Sequence, residues 1–211
     1  MGKTYTAHHC QYKIELSPRK RKIKTVVLGI GNILLGDEGV GVHAVRRLQE
    51  MDFPPSVLFI DGATAGFKLI SLFEEYKHAD FIIIDALVVA QDKRHGDSRS
   101  GTEDLNIGDL SDGDTGSIYV IPLQDLYGMD SSGILKDSCI SFHQTSISDV
   151  LDFLYLSHKT RLSGYLIGIN IFKNLPQDAN VVLPLSMELS RDIRSLMPEV
   201  IDIVKKTVKK L

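Results

Sequence analysis

Two kinds of side chain in this sequence could do chemistry together. Carboxylates recur just after apolar runs: Asp37 and Glu38 follow Val26-Val27-Leu28-Gly29, Asp61 follows Val57-Leu58-Phe59-Ile60, and Asp85 follows Phe81-Ile82-Ile83-Ile84. One imidazole, His143, stands just before a helical pattern that begins near Ser146. Two carboxylates and an imidazole suit a divalent transition ion of intermediate softness, and the imidazole favours nickel, zinc, cobalt or iron over magnesium. Three protein ligands leave coordination positions open for water or a substrate group. Each residue also has a structural reading. Glu38 can simply favour a helix N-terminus. Asp61 and Asp85 can close strands or form turns, and His143 can be a satisfied half-buried histidine. His43 lies near the seam of the first helix and reads as packing or surface. His8, His9 and Cys10 could ligate a metal by composition, but they lie in an expected tail.

Glu38, Asp85 and His143 can meet only in a fold that brings several strand ends to one place. The chain supplies such elements. Ile23 to Gly29 reads as a strand covered on both faces, because Val26, Val27 and Leu28 leave no polar alternation. A helix follows from about Gly39 to Met51, with Val40, Ala44, Leu48 and Met51 at helical spacing and Asp37 as its N-cap. Strands are expected at Val57–Ile60, Phe81–Ile84, Ser117–Ile121 and Tyr165–Ile169. Helices are expected at Gly66–Glu75, with Leu69, Ile70 and Phe73 inward, and at Ser146–Leu156, buried through Val150, Phe153 and Leu154. A last helix starts near Leu189, broken or kinked at Pro198. Its stripe is Ile193, Met197, Val200, Val204, Val208 and Leu211. Strands alternating with helices predict an α/β class: one three-layer α/β/α domain with a twisted, mostly parallel sheet of about five strands. In such sheets the functional crevice lies beyond the carboxyl ends of the strands.

Residues 1–22 read as an N-terminal extension and 23–211 as the α/β/α domain. The basic run Pro18-Arg19-Lys20-Arg21-Lys22 is a solvated lead-in to the first strand. Residues 91–116 hold seven acidic residues, three basic ones and five glycines, and predict a mobile acidic surface loop.

Composition removes several classes of function. The 211 residues are 43% hydrophobic and 24% charged, which excludes a wholly disordered chain. A net charge of -3 gives no global basic field, so nucleic acid is not an expected partner. Two cysteines, Cys10 and Cys139, exclude a disulfide scaffold and an all-cysteine metal site. No apolar run reaches membrane-spanning length, and the N-terminus has no signal-peptide core, so a cytoplasmic protein is expected.

The glycine-rich loop fails two familiar readings. A dinucleotide fingerprint needs Gly-x-Gly-x-x-Gly, but after Gly29 and Gly31 the next glycine, Gly36, comes two residues late. No Walker lysine follows, and Asp37-Glu38 at the helix mouth would repel a pyrophosphate. Neither a Gly-x-Ser-x-Gly elbow nor a His-Glu-x-x-His helix is present.

The stretch Gly29-Ile30-Gly31-Asn32-Ile33-Leu34-Leu35-Gly36-Asp37-Glu38-Gly39-Val40-Gly41-Val42 resembles the opening signature of the hydrogenase maturation endopeptidases. Asp61-Gly62-Ala63-Thr64-Ala65-Gly66, Ile84-Asp85-Ala86 and Phe142-His143-Gln144 match its later motifs in order, and the likeness covers about residues 24–205. The resemblance implies a parallel-rich sheet between helices. It implies an enzyme that removes a short C-terminal extension from the large-subunit precursor of nickel–iron hydrogenase after nickel insertion, thereby activating it. The family's metal-contacting residues fall on Glu38, Asp85 and His143, which are then both the catalytic and the metal set. The nickel is supplied by the precursor, which is the expected partner, and the enzyme itself is a monomer or weak oligomer. A Lewis-acid metal could polarise the scissile carbonyl, or Glu38 or Asp85 could act as a general base. A non-enzymatic nickel- or precursor-binding chaperone would share every one of these ligands. A metal hydrolase of small molecules is a third reading, against which the poor phosphate loop counts.

Overall fold

The computed structural model of the chain describes residues 22–89, 116–127, 139–140, 146–171 and 185–211. The expected extension up to residue 21 (with His8, His9 and Cys10), the acidic loop through residue 115, and His143 lie outside the described residues.

Strand β1 is Thr25–Ile30, buried at every position as its apolar run requires. It leads through a 3-10 turn at Gly36–Gly39 into helix α1, Val40–Gln49. Strand β2 (Val57–Ala63) follows, then a 3-10 turn at Gly66–Lys68 and helix α2 (Leu69–Glu75). Strand β3 is Asp80–Val89 and β4 is Ile118–Pro122. A two-residue strand β5 (Cys139–Ile140) precedes helix α3, Ile147–His158. Strand β6 (Ser163–Asn170) and helix α4 (Arg191–Lys210) complete the described elements.

The main strands run in the order β2-β1-β3-β6-β4. The first four are mutually parallel, and β4 is antiparallel to β6 at the edge. Period-2 alternation sorts the core. Val27, Ile82, Ile84 and Ile167 pack with α1 and α4 on one face. Val26, Leu28, Phe81, Ile83 and Leu166 pack with α2 and α3 on the other. The α/β/α architecture expected from the sequence is borne out.

Chain order reverses between β1 and β3, because β2 lies on one side of β1 and β3 on the other. That switch point is where an open α/β sheet forms its crevice.

Several expectations need correction. β3 does not end at Ile84. Its pairing with β1 stops at Gly29–Ile84, but β6 continues alongside, opposing Asp85 with Gly168, Ala86 with Ile169 and Leu87 with Asn170. Asp85 therefore sits within a strand, yet one step beyond the last residue at which that strand pairs with β1. β5 was not anticipated; it pairs antiparallel with Val88–Val89, and a two-residue strand carries no periodic signal. Helix α4 runs without a break through Pro198. That proline lies on the solvent face, where the carbonyl it leaves unpaired can bond water, while Ile193, Met197, Val200 and Val204 hold the helix to the sheet. Met51 and Leu211 fall off the ends of their buried stripes and are exposed. Phe153 is also half exposed rather than buried; its ring meets Phe67 edge-on at 5.3 Å.

Candidate active site

The loop from β1 to α1 doubles back on itself. Asn32 starts the turn: its Oδ1 accepts the Leu34 amide at 3.0 Å and its carbonyl accepts the Leu35 amide at 3.0 Å. Gly31 has φ of 142°, and a Cβ there would lie 2.0 Å from the Glu38 carbonyl oxygen. Gly41, in the first turn of α1, sits so close to the sheet that a Cβ would lie 2.1 Å from the Ile84 oxygen and 2.4 Å from the Ile30 oxygen. These glycines let the loop and the helix mouth settle directly on the backbones of β1 and β3. Close approach, not phosphate binding, is their evident use.

Glu38 is thereby carried into the protein at 3% exposure. Burial raises its carboxyl pKa above the ordinary value. Among the described residues, its Oε1 has no hydrogen-bond partner.

Asp85 arrives from the strand, at 1% exposure. It shares the face of Phe81 and Ile83 and lines a cavity of about 10 Å³ with Ile30, Thr64, Gly66, Leu69, Ile147 and Val150. That is room for one water-sized group. Its Oδ1 accepts the Ala86 amide at 2.8 Å. Burial pushes its pKa up to about 7, the Ala86 N–H opposes the rise, and the charge of Glu38 adds to it. The two carboxyls are thus electrostatic neighbours, although 47 positions separate them in the sequence.

The remaining acids of these motifs have other work. Asp37 is not the N-cap of α1; it lies inside the 3-10 turn, and its Oδ1 accepts the Ser190 amide at 2.7 Å, at the start of α4. Asp61 takes two N–H bonds from Arg46 on Oδ2, at 2.9 and 3.0 Å, while its Oδ1 accepts the Ala63 amide at 3.1 Å. Its structural reading holds. His43 is half-buried with a backbone bond to Met187. Burial first, then Arg46 and Arg47, hold its pKa low.

The last helix starts at Arg191 rather than near Leu189, and the segment Leu185–Ser190 before it leaves little signal in the sequence. It straps the loop from the side: the Gly36 amide donates to the Ser186 carbonyl at 2.7 Å, and the Ser186 amide donates to the Leu34 carbonyl at 3.0 Å. Its only sequence signal is Ser190, a residue suited to cap a helix; its Oγ accepts the Ile193 amide at 3.3 Å.

The structure therefore couples Glu38 with Asp85, whereas Asp61 is engaged by Arg46 and His43 by the Met187 backbone. Among the described residues, no three His, Cys, Asp or Glu side chains are grouped to hold a metal ion. The described carboxyl pair could supply two hard oxygen donors whose mutual repulsion a cation would relieve, and either acid could instead hold or move a proton.

No family model matches the chain. Over 71 residues it is 39% identical to the hydrogenase expression/formation protein HupD of Rhodobacter capsulatus, covering 33% of each chain. Over 67 residues it is 43% identical to the hydrogenase 2 maturation protease of Escherichia coli, covering 31% of this chain and 40% of that protein. The match thus spans a third to two-fifths of these curated relatives. Among solved structures, the hydrogenase maturating endopeptidase HybD of Escherichia coli superposes with a TM-score of 0.58 at 22% identity, covering 89% of this chain and 93% of that one. The hydrogenase maturation protease HycI of Thermococcus kodakarensis gives 0.57 at 18% identity, covering 90% and 95%. At these identities the structures share the fold. The resemblance to hydrogenase maturation proteases, read from the motifs, is borne out by these matches. Among the described residues, no helix is long and apolar enough to cross a membrane.

Proposed function

We propose that this protein is an endopeptidase that removes the C-terminal extension of a nickel–iron hydrogenase large-subunit precursor, and that it acts after nickel has been inserted. The observation that carries the reading is the buried Glu38–Asp85 pair at the switch point of the sheet. Two carboxyls that repel each other out of water are a poor choice for stability and a good one for binding a cation or moving a proton.

Nickel enters this scheme as part of the substrate. Glu38, Asp85 and His143 are the residues that would hold it, and the ion would supply positive charge next to the scissile carbonyl. Ser146, which caps α3 by accepting the Asp149 amide, follows His143 by three residues. Ile147, the first residue of that helix, lines the Asp85 cavity.

Without a cation, burial and the Glu38 charge hold the Asp85 carboxyl near 7. A cation brought in by the substrate would drive off that proton and ready Asp85 as a ligand, and a carboxyl of the pair left off the ion could move a proton between water and the departing amine. Glu38 Oε1 is buried without a hydrogen-bond partner among the described residues, an arrangement that a cation would relieve. An unloaded precursor offers these acids no cation, so metal loading serves as the specificity check.

The deciding measurement is intact mass of purified precursor, nickel-loaded and nickel-free, after incubation with the protein. Loss of the C-terminal peptide from the loaded form alone is the expected result. Stable binding without a mass change would instead mean a maturation chaperone. His143→Ala should stay folded and process no precursor; normal cleavage by that variant would remove His143 from the site.

A further inference from the structure

Glu38 Oε1 has no hydrogen-bond partner among the described residues. Its place depends on the backbone of the 3-10 turn Gly36–Gly39. That turn lacks a side-chain cap of its own. What fixes it is external. The Gly36 amide is bonded to Ser186, the Ser186 amide to Leu34, and the Asp37 carboxylate takes the Ser190 amide at 2.7 Å. Ser186 is braced in turn: its Oγ donates to the Glu188 carbonyl and accepts the Glu188 amide, both at 3.2 Å. Asp37 is itself 9% exposed, and its side chain ties the turn to the strap.

We infer that Asp37 is a positioning residue for Glu38: it clamps the acid-bearing turn to the start of α4, and so sets where the Glu38 carboxyl can meet a cation. The neighbouring acids divide the labour. Asp37 bonds the strap and serves geometry; Glu38 lies within electrostatic reach of Asp85 and serves chemistry. The inference rests on the metal-contacting reading of Glu38 for its consequence in function, but the clamp itself can be tested without it.

Three variants of the full chain separate the alternatives. Asp37→Ala removes the acceptor. Asp37→Asn keeps an oxygen at Oδ1. Ser190→Ala keeps the backbone donor but removes the cap on Ile193, so it reports what loosening the start of α4 does by itself. Two quantities are read: hydrogen exchange of the amides of residues 36–40, and nickel(II) affinity by calorimetry with nickel chloride. In Asp37→Ala, exchange should rise and nickel affinity should fall, each by about tenfold, as loss of an outer support does to a metal ligand. Asp37→Asn should return both to within about threefold of wild type, and Ser190→Ala should leave both within that range while lowering the melting temperature. Exchange in Asp37→Ala equal to wild type, or matched by Ser190→Ala, would overturn the clamp. If the wild-type protein takes up no nickel from solution, the exchange comparison alone decides the role of Asp37, and the mass measurement on nickel-loaded precursor decides the metal reading of Glu38.

Discussion

Glu38 and Asp85 bring the same functional group within electrostatic reach of each other by opposite means. Asp85 rides on a strand held by β6, and its side chain is engaged by the next amide in the chain. Glu38 rides on a short irregular turn, and its place is set by glycines beneath it and a strap beside it. A strand position tolerates change around it, because the sheet ladder fixes the backbone. A turn position inherits the precision of every contact that shapes the turn. Sensitivity to substitution should therefore extend far from Glu38 and stay close to Asp85.

The severest break of this comparison is Gly41→Ala. The new Cβ would meet the carbonyl oxygens of Ile84 and Ile30 at 2.1 and 2.4 Å, and neither backbone atom can swing aside. Helix α1 would have to lift from the sheet, taking the Glu38 turn with it. We expect a loss of about 3 kcal/mol in folding stability, read by urea unfolding, together with loss of precursor processing. A wild-type midpoint would show that the helix mouth has slack.

Asp85→Asn sharpens the comparison in the other direction. The carboxyl ionises at its ordinary value of 3.8 in the unfolded chain and at about 7 in the folded one. Between those values the folded chain keeps a proton that the unfolded chain has lost. The stability associated with the neutral acid is complete below about pH 4, falls as pH rises toward 7, and is constant above that, a total of up to about 4 kcal/mol. Asparagine has no such dependence. The variant should match wild type near pH 3 and exceed it in thermal stability near pH 8, while processing falls at least about 100-fold. Equal pH profiles for the two proteins would mean that Asp85 ionises normally.

The smallest effect belongs to a third acid of the same motifs. Arg46→Ala removes the grip on Asp61, but that pair is partly exposed and lies outside the carboxyl couple. A change of about 0.5 kcal/mol in stability and unchanged processing are expected. A large fall in processing would bring Asp61 into the chemistry.

What was legible in the sequence follows the same division. Val26-Val27-Leu28 and Phe81-Ile82-Ile83-Ile84 announce buried strands because a two-sided core leaves no room for polar alternation. The convergence of Glu38 and Asp85 was readable from their places after those strands, since parallel strands put their carboxyl ends on one side. Asp37 misled because an acid before a helix is ordinarily its cap, whereas here its partner is an amide on a helix distant in sequence. Phe153 misled because helical spacing places it close to Val150 and Leu154, and only the three-dimensional meeting with Phe67 shows that it lies at the rim. Pro198 misled because a missing hydrogen bond breaks a helix only when packing does not hold both halves. Local pattern carries information about faces; partners far along the chain leave no local trace.

The bond between Asp37 and Ser190 spans 153 residues. As the chain is made, β1, α1, β2 and β3 can all be paired while the acid-bearing turn still lacks its outer brace. Closing so long a loop is entropically a late event. A nascent chain would therefore own a sheet well before it owned a fixed Glu38, and readiness for catalysis would arrive with the last helix.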